Sequence, residues 1–87
     1  GEVIGINYKL EYGEDRLEVQ QNIIKKNSTI VVIDDLLATG GTASAAGKLI
    51  REAGGNLIGF AFLVELTELN GRRNLDNNLL IESVIKY

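Results

Sequence analysis

Two adjacent carboxylates, Asp34 and Asp35, follow an apolar run in the middle of the chain. Open α/β sheets bind their ligands in a crevice at the carboxyl ends of the strands, so acids at this position are candidates for ligand binding. An ionised carboxylate accepts strong hydrogen bonds from neighbouring hydroxyl groups. The pair therefore predicts a site for vicinal hydroxyls such as those of a ribose, whereas either acid alone is also typical of a helix cap.

The loop that follows the two acids has the sequence LLATGGT. Its small residues let the backbone approach a ligand closely, and its N–H groups converge at the start of a helix, where an anion is stabilised. Thr39 and Thr42 add hydroxyl donors, and Gly40 and Gly41 can adopt positive φ. The glycine pair alone is typical of an ordinary strand-to-helix turn. The ordered combination of strand, acids, loop and helix predicts a phosphate site.

These groups must be positioned by a strand, a helix and a second strand. The β-branched run Thr29–Ile33 predicts the central strand of a parallel sheet, covered on both faces. Thr42 is predicted to cap an amphipathic helix that ends at Gly54–Gly55. Asn56–Glu65 predicts the next parallel strand, and Leu79–Ile85 a last short one. The expected fold class is α/β.

The flanking segments are more polar. The alternation from Val3 to Gln20 predicts an antiparallel hairpin with its turn at Gly13–Asp15. Leu66–Asp76 reads as a polar loop with one possible helical turn. The charge pairs Lys25–Lys26 and Arg72–Arg73 are predicted to lie in solvated turns.

Composition limits the function classes. The 87 residues allow one small core at most, and the absence of Cys and His removes thiolate and imidazole chemistry. The net charge of −3, with scattered basic residues, argues against a nucleic-acid partner. Neither an apolar run of membrane-spanning length nor a secretory signal is found, which predicts a cytoplasmic location without membrane contact. The chain opens at Gly1 in strand-like sequence, which indicates an internal segment of a longer protein.

Three segments carry a resemblance to a known family. VVIDDLLATGGT resembles the phosphoribosyl pyrophosphate signature of the type I phosphoribosyltransferases, in the form found in adenine phosphoribosyltransferases. KLEYGEDRLEVQ, residues 9–20, is similar to the active-site loop of that family, and LVELTELNGR, residues 63–72, to its next strand and loop. The resemblance implies a partial type I phosphoribosyltransferase fold.

By this resemblance, residues 1–87 form the carboxyl-terminal half of a single domain, residues 3–20 an active-site hairpin, and residues 29–54 the unit that binds phosphoribosyl pyrophosphate. It implies that the two acids hold the ribose 2- and 3-hydroxyls, that the loop cradles the 5-phosphate, that two hairpin residues are catalytic, and that one residue contacts the base. The residues concerned are Asp34 and Asp35, then Ala38, Thr39, Gly40, Gly41 and Thr42, then Glu11 and Tyr12, and finally Leu66. Taken without the family, the pattern favours a structural role for Glu11 and Tyr12 and a core position for Leu66.

The implied activity is transfer of a 5-phosphoribosyl group from phosphoribosyl pyrophosphate to adenine, which yields AMP and pyrophosphate in purine salvage. Mg²⁺ is expected to be bound mainly through substrate oxygens, without a metal site built from protein ligands. The resemblance also implies a homodimer and an amino-terminal half without which this chain is inactive. A regulatory domain that senses the same ligand, or a sibling enzyme for hypoxanthine, xanthine or orotate, remains an alternative.

Overall fold

The computed structural model describes residues 24–87 and, before them, the backbone pairing of two strands. Strand β1 (Val3–Leu10) pairs antiparallel with β2 (Gly13–Gln20), in a register that runs from Val3 opposite Gln20 to Leu10 opposite Gly13. The antiparallel pairing agrees with the predicted hairpin. The predicted turn at Gly13–Asp15 is wrong, because these residues already belong to β2 and pair with β1.

The rest of the chain forms a parallel sheet with one long helix. Strand β3 (Thr29–Leu37) leads into helix α1 (Gly41–Glu52), and β4 (Asn56–Glu65) follows. Two short 3₁₀ helices, Thr67–Leu69 and Gly71–Asn74, then connect to β5, which comprises residues Leu80–Lys86. The strand order is β3-β4-β5 and both pairings are parallel. The predicted α/β fold is thereby confirmed.

One layer of side chains fills the space between α1 and the sheet. Phe60 and Phe62 on β4 are both 3% exposed, because residues two apart in a strand point to the same face. The core contains the buried residues Leu37, Ala43, Leu57, Phe60, Phe62 and Leu75. Within the described part of the chain, no helix is long and apolar enough to span a membrane.

The prediction that Thr29–Ile33 forms a central strand covered on both faces is wrong. In the described parallel sheet β4 is central and β3 lies at an edge. Val32 packs on the core, whereas Ile33 beside it is 79% exposed and Val31 is 43% exposed. The physical reason is that α1 covers one face of the sheet, so the alternate apolar side chains of β3 point to the uncovered face.

Helix α1 ends as predicted by its two glycines. Gly54 has φ +90°, a left-handed conformation that glycine adopts without steric cost. Its N–H donates to the carbonyl of Arg51 at 3.1 Å, and the Gly55 N–H donates to the carbonyl of Ile50 at 2.9 Å. This pair of bonds satisfies the last helix carbonyls and returns the chain to β4.

Candidate functional site

The carboxyl end of β3, the loop after it and the first turn of α1 enclose a cavity of about 240 Å³. Its lining is one uninterrupted stretch of the chain: Asp34, Asp35, Leu36, Leu37, Ala38, Thr39, Gly40, Gly41, Thr42 and Ala43. The structure therefore brings both predicted acids and all five predicted loop residues to one cavity. It lies at the edge of the sheet where α/β proteins bind their ligands.

Gly40 sets the geometry of the loop. It is the N-cap of α1 with φ +87°, and no side chain caps the helix. The predicted cap at Thr42 is therefore wrong: because the helix already begins at Gly41, Thr42 falls in its first turn. The N–H groups of a first helical turn have no partner inside the helix, and α1 has no acidic residue there. The helix end therefore presents unneutralised N–H donors at the cavity.

Asp34 and Asp35 are not a side-by-side carboxylate pair. Strand β3 continues to Leu37, so adjacent side chains alternate across it. Asp34 is half-buried and its Oδ1 accepts a hydrogen bond from the Asp35 N–H at 2.8 Å, while Asp35 is exposed. The ion pairs found among residues 24–87 do not involve either acid. Within this part of the chain no cation neutralises either carboxylate, so each can accept hydrogen bonds from ligand hydroxyls.

The segment 66–76 packs behind the loop. The Leu66 N–H donates to the carbonyl of Leu37 at 2.9 Å, and the side-chain Nδ2 of Asn74 donates to the carbonyl of Thr39 at 2.6 Å. A Cβ placed on Gly71 would lie 2.3 Å from the carbonyl oxygen of Ala38. The two stretches of backbone are thus in direct contact, with no room for a side chain between them.

An ion pair with a buried carboxylate anchors that segment to the sheet. Glu65 at the end of β4 is 4% exposed, and its carboxylate accepts from Arg72 Nε at 2.8 Å, from Arg72 Nη2 at 2.9 Å and from the Ser83 hydroxyl at 2.8 Å. Arg72 Nη1 also donates to the carbonyl of Ile81 at 3.1 Å. The pair joins β4, the second 3₁₀ helix and β5.

The same contacts shift the pKa values of Glu65 and Arg72. The hydrogen bonds from Arg72 lower the pKa of Glu65, against an opposing effect of burial, and the Ser83 hydroxyl lowers it further. The Glu65 carboxylate raises the pKa of Arg72. Every buried side-chain nitrogen and oxygen of the described residues has a hydrogen-bond partner. Glu65 and Arg72 therefore form a satisfied structural pair.

The other predictions have mixed outcomes. Leu66 is half-buried and lies beside the loop through its bond to Leu37, but it does not line the cavity. Glu11 and Tyr12 lie outside the described residues. Lys25 and Lys26 are exposed as predicted. The expectation that Arg72 lies in a solvated turn is wrong, because Glu65 and the Ile81 carbonyl bind its guanidinium.

Sequence reasoning missed Glu65, Arg72 and Asn74. Glu65 ends an apolar strand, which is a weak signal for a buried acid that needs a cation. Asn74 has no signal of its own, since its partner Thr39 is 35 residues away in the chain. No group of three or more metal-binding side chains was found among residues for which the structure gives positions.

Comparison with known proteins places the chain in a family. The phosphoribosyl transferase domain family matches residues 5–81, and the chain belongs to that family. The predicted resemblance to the carboxyl-terminal half of adenine phosphoribosyltransferases is also confirmed. The adenine phosphoribosyltransferase of Prochlorococcus marinus (strain NATL1A) is 79% identical over all 87 residues, which correspond to 51% of that protein. That of Nitrosopumilus maritimus (strain SCM1) is 47% identical over the same length.

Solved structures agree with the sequence relatives. Adenine phosphoribosyltransferase from Thermoanaerobacter pseudethanolicus has a TM-score of 0.92 and 44% identity, over 99% of this chain and 49% of that one. The enzyme from Saccharomyces cerevisiae, solved with an imino-altritol bisphosphate and adenine, has a TM-score of 0.90 and 38% identity, over 97% of this chain and 47% of that one. The chain thus spans about half the length of the relatives it matches.

Proposed function

We propose that the protein containing this chain transfers the 5-phosphoribosyl group of phosphoribosyl pyrophosphate to adenine, producing AMP and pyrophosphate as a cytoplasmic purine salvage enzyme. The observation that carries the proposal is the cavity formed by residues 34–43 at the amino end of α1. The family match supports the phosphoribosyl group, and the names of the relatives support adenine. The Trypanosoma brucei relative, 30% identical, was solved with AMP, pyrophosphate and ribose 5-phosphate.

Each part of the cavity has a role in substrate binding. The free N–H groups of the first helical turn and the hydroxyls of Thr39 and Thr42 would bind the 5-phosphate, since a helix amino terminus favours a dianion. The carboxylates of Asp34 and Asp35 would accept hydrogen bonds from the ribose 2- and 3-hydroxyls. These contacts fix the ribose at both ends, so that its anomeric carbon is held in line for attack by N9 of adenine.

The reaction develops positive charge at the anomeric carbon and releases pyrophosphate. Asp34 and Asp35 orient the ring on which that charge forms, and closure of the hairpin bearing Glu11 and Tyr12 would exclude water. Glu11 is assigned to proton transfer at the purine, and Leu66 to contact with the base. Both assignments, and the closure of the hairpin, rest on the family resemblance.

Mg²⁺ would neutralise charge on the departing pyrophosphate when it is bound. The carboxylates that this chain offers at the cavity are those of Asp34 and Asp35, one of which already accepts a backbone hydrogen bond. Two carboxylates fit a hard cation that takes most of its ligands from substrate oxygens and water. They do not suffice for a site made of protein ligands alone.

The remaining parts of the protein are also proposed from its relatives. Because the chain spans 51% of the matched Prochlorococcus protein, the amino-terminal half would supply the rest of the base and pyrophosphate sites, and the 87 residues alone would be inactive. The family pattern further suggests a homodimer. No nucleic-acid or membrane partner is part of the proposal.

The test combines binding and turnover in the full-length protein. Isothermal titration with phosphoribosyl pyrophosphate and Mg²⁺ should show binding, and pyrophosphate release should require adenine rather than hypoxanthine, xanthine or orotate. The double variant Asp34→Asn, Asp35→Asn should bind about tenfold to a hundredfold more weakly, because charge-assisted hydrogen bonds to the ribose are lost. A matched control, Glu52→Gln with Glu68→Gln, neutralises two exposed acids outside the cavity and should bind normally.

Two results would contradict the proposal. Unchanged affinity in the double variant would exclude the ribose assignment. Binding of phosphoribosyl pyrophosphate with no turnover on any base would instead identify a regulatory domain that senses this ligand.

A further inference from the structure

The loop of residues 36–42 is the candidate phosphate loop. In the described structure, Asn74 is the one side chain of segment 66–76 that donates a hydrogen bond to it. Its Nδ2 lies 2.6 Å from the carbonyl oxygen of Thr39, a residue that lines the cavity. Asn74 itself is exposed and is absent from the cavity lining. Its amide therefore contacts the loop from outside the cavity, through a backbone atom.

The residues around Asn74 hold it in place. Arg72, two positions before it, is fixed by Glu65 and by the carbonyl of Ile81. Leu75, directly after it, is 6% exposed and belongs to the core. The Asn74 side chain thus projects from a backbone anchored on both sides, so little conformational entropy remains to be lost when it binds the loop.

The bond to the Thr39 carbonyl has a consequence for the next N–H group. A trans peptide is planar, so the carbonyl of Thr39 and the N–H of Gly40 point in opposite directions. A carbonyl held towards Asn74 turns the Gly40 N–H to the opposite side of the loop. Because Gly40 and Thr39 both line the cavity, that N–H becomes one of the donors available to an anion there.

We infer that Asn74 is a positioning residue for the phosphate group of the substrate: it orients the Thr39–Gly40 peptide so that the Gly40 N–H faces the ligand. The inference rests on the proposed function, which assigns a phosphate to this loop. Asn74 makes no contact with substrate in this account. Its effect is on the affinity for ribose 5-phosphate and not on the affinity for adenine.

The experiment uses the full-length protein and isothermal titration with ribose 5-phosphate and, separately, with adenine. Asn74→Ala removes the donor, and Asn74→Asp keeps the shape but offers only acceptors to the Thr39 carbonyl. We expect ribose 5-phosphate to bind about tenfold more weakly to both variants. Adenine affinity and the melting temperature should stay close to those of the wild type, since Asn74 is exposed.

Asn77→Ala and Asn77→Asp are the matched controls. Asn77 is an exposed asparagine three residues further along the chain, so it reproduces the change of size and of charge without the bond to Thr39. Both controls should bind ribose 5-phosphate as the wild type does.

Each alternative result has one meaning. Wild-type affinity for ribose 5-phosphate in both Asn74 variants would overturn the inference while the proposed function stands. A parallel loss of adenine affinity and melting temperature would also overturn it, because the residue would then support the fold in general. Failure of the wild type itself to bind ribose 5-phosphate would remove the proposed function and the inference together.

Discussion

Gly40 is required by two independent features of the loop. Its φ of +87° is unfavourable for any residue with a Cβ, and that Cβ would lie 2.4 Å from the carbonyl oxygen of Gly71. Gly54 has nearly the same φ, +90°, but its Cβ would meet only ordinary contacts, the nearest at 3.7 Å from Lys26. A comparison of substitutions at the two glycines therefore separates the cost of backbone strain from the cost of steric overlap.

Gly40→Ala should therefore cost more than Gly54→Ala. We expect about 1 kcal/mol for Gly54→Ala, from the left-handed conformation alone, and about 3 kcal/mol for Gly40→Ala, since the overlap forces the loop away from Gly71. Urea unfolding measures both, and titration with ribose 5-phosphate should show weaker binding for Gly40→Ala only. Equal costs and equal affinities would show that the overlap with Gly71 is relieved without moving the loop.

At the scale of elements, the ion pair between Glu65 and Arg72 links β4 and β5 to the segment that supports the loop. Removing one partner of a fully buried pair costs roughly 3–5 kcal/mol because the other charge is left unpaired. The Arg72 side chain is 35% exposed, so water can solvate it in part. We expect Glu65→Gln to lower the free energy of unfolding by about 2 kcal/mol, and the exposed control Glu68→Gln to change it by less than about 0.5 kcal/mol.

The same pair predicts a pH dependence. The pKa of Glu65 is lower in the folded protein than its ordinary value, so the folded state favours the ionised carboxylate and gains stability above that ordinary value. This stability is lost as the pH falls through the folded pKa. The difference in unfolding free energy between wild type and Glu65→Gln, measured from about pH 6 to about pH 3, should therefore shrink towards acid pH. A difference that stays constant over this range would exclude Glu65 as its source.

The sequence predicted the elements that form the site better than the contacts that hold those elements in place. A β-branched strand, two acids, Gly40–Gly41 and an amphipathic helix follow one another along the chain, and each has a local pattern. The contacts of Asn74 with Thr39 and of Arg72 with Glu65 join positions that are distant or separated by a loop, and no periodicity marks them. The local sequence predicts that Arg72 is a solvated charge, because nothing in it indicates that folding places the buried Glu65 carboxylate beside the guanidinium.

At the scale of the whole molecule, one face of the parallel sheet carries exposed apolar side chains. The apolar side chains concerned are Val31, Ile33, Leu63, Leu80 and Val84, which are between 43% and 79% exposed. A sheet face with several exposed apolar side chains is typical of a surface that another part of a protein covers. The run TIVVI predicted burial on both faces of the strand, whereas the described residues cover only one face of the sheet. The matched relatives, about twice as long, contain additional chain that could cover the other.

The variant Ile33→Thr tests whether this face of the sheet is covered in the full-length protein. In the 87-residue chain Ile33 is 79% exposed, so the change should cost less than about 0.5 kcal/mol of unfolding free energy. In the full-length protein it should cost about 1–2 kcal/mol, because a buried methyl is lost and a hydroxyl is buried instead. Ile81→Thr, on the core face, should be destabilising in both proteins. A negligible cost for Ile33→Thr in the full-length protein would show that this face remains open.

The direct contact of backbone with backbone between Gly40 and Gly71 constrains how this protein can change. Most packing contacts adjust by exchanging one side chain for another of similar volume, but here neither partner has a side chain to exchange. A larger residue at position 40 or 71 would push the two segments apart. A second substitution at the other position would then cause little further steric overlap, because the segments are already separated. The two substitutions should therefore cost less together than the sum of their separate costs, so that random variation must either keep both glycines or abandon the contact altogether.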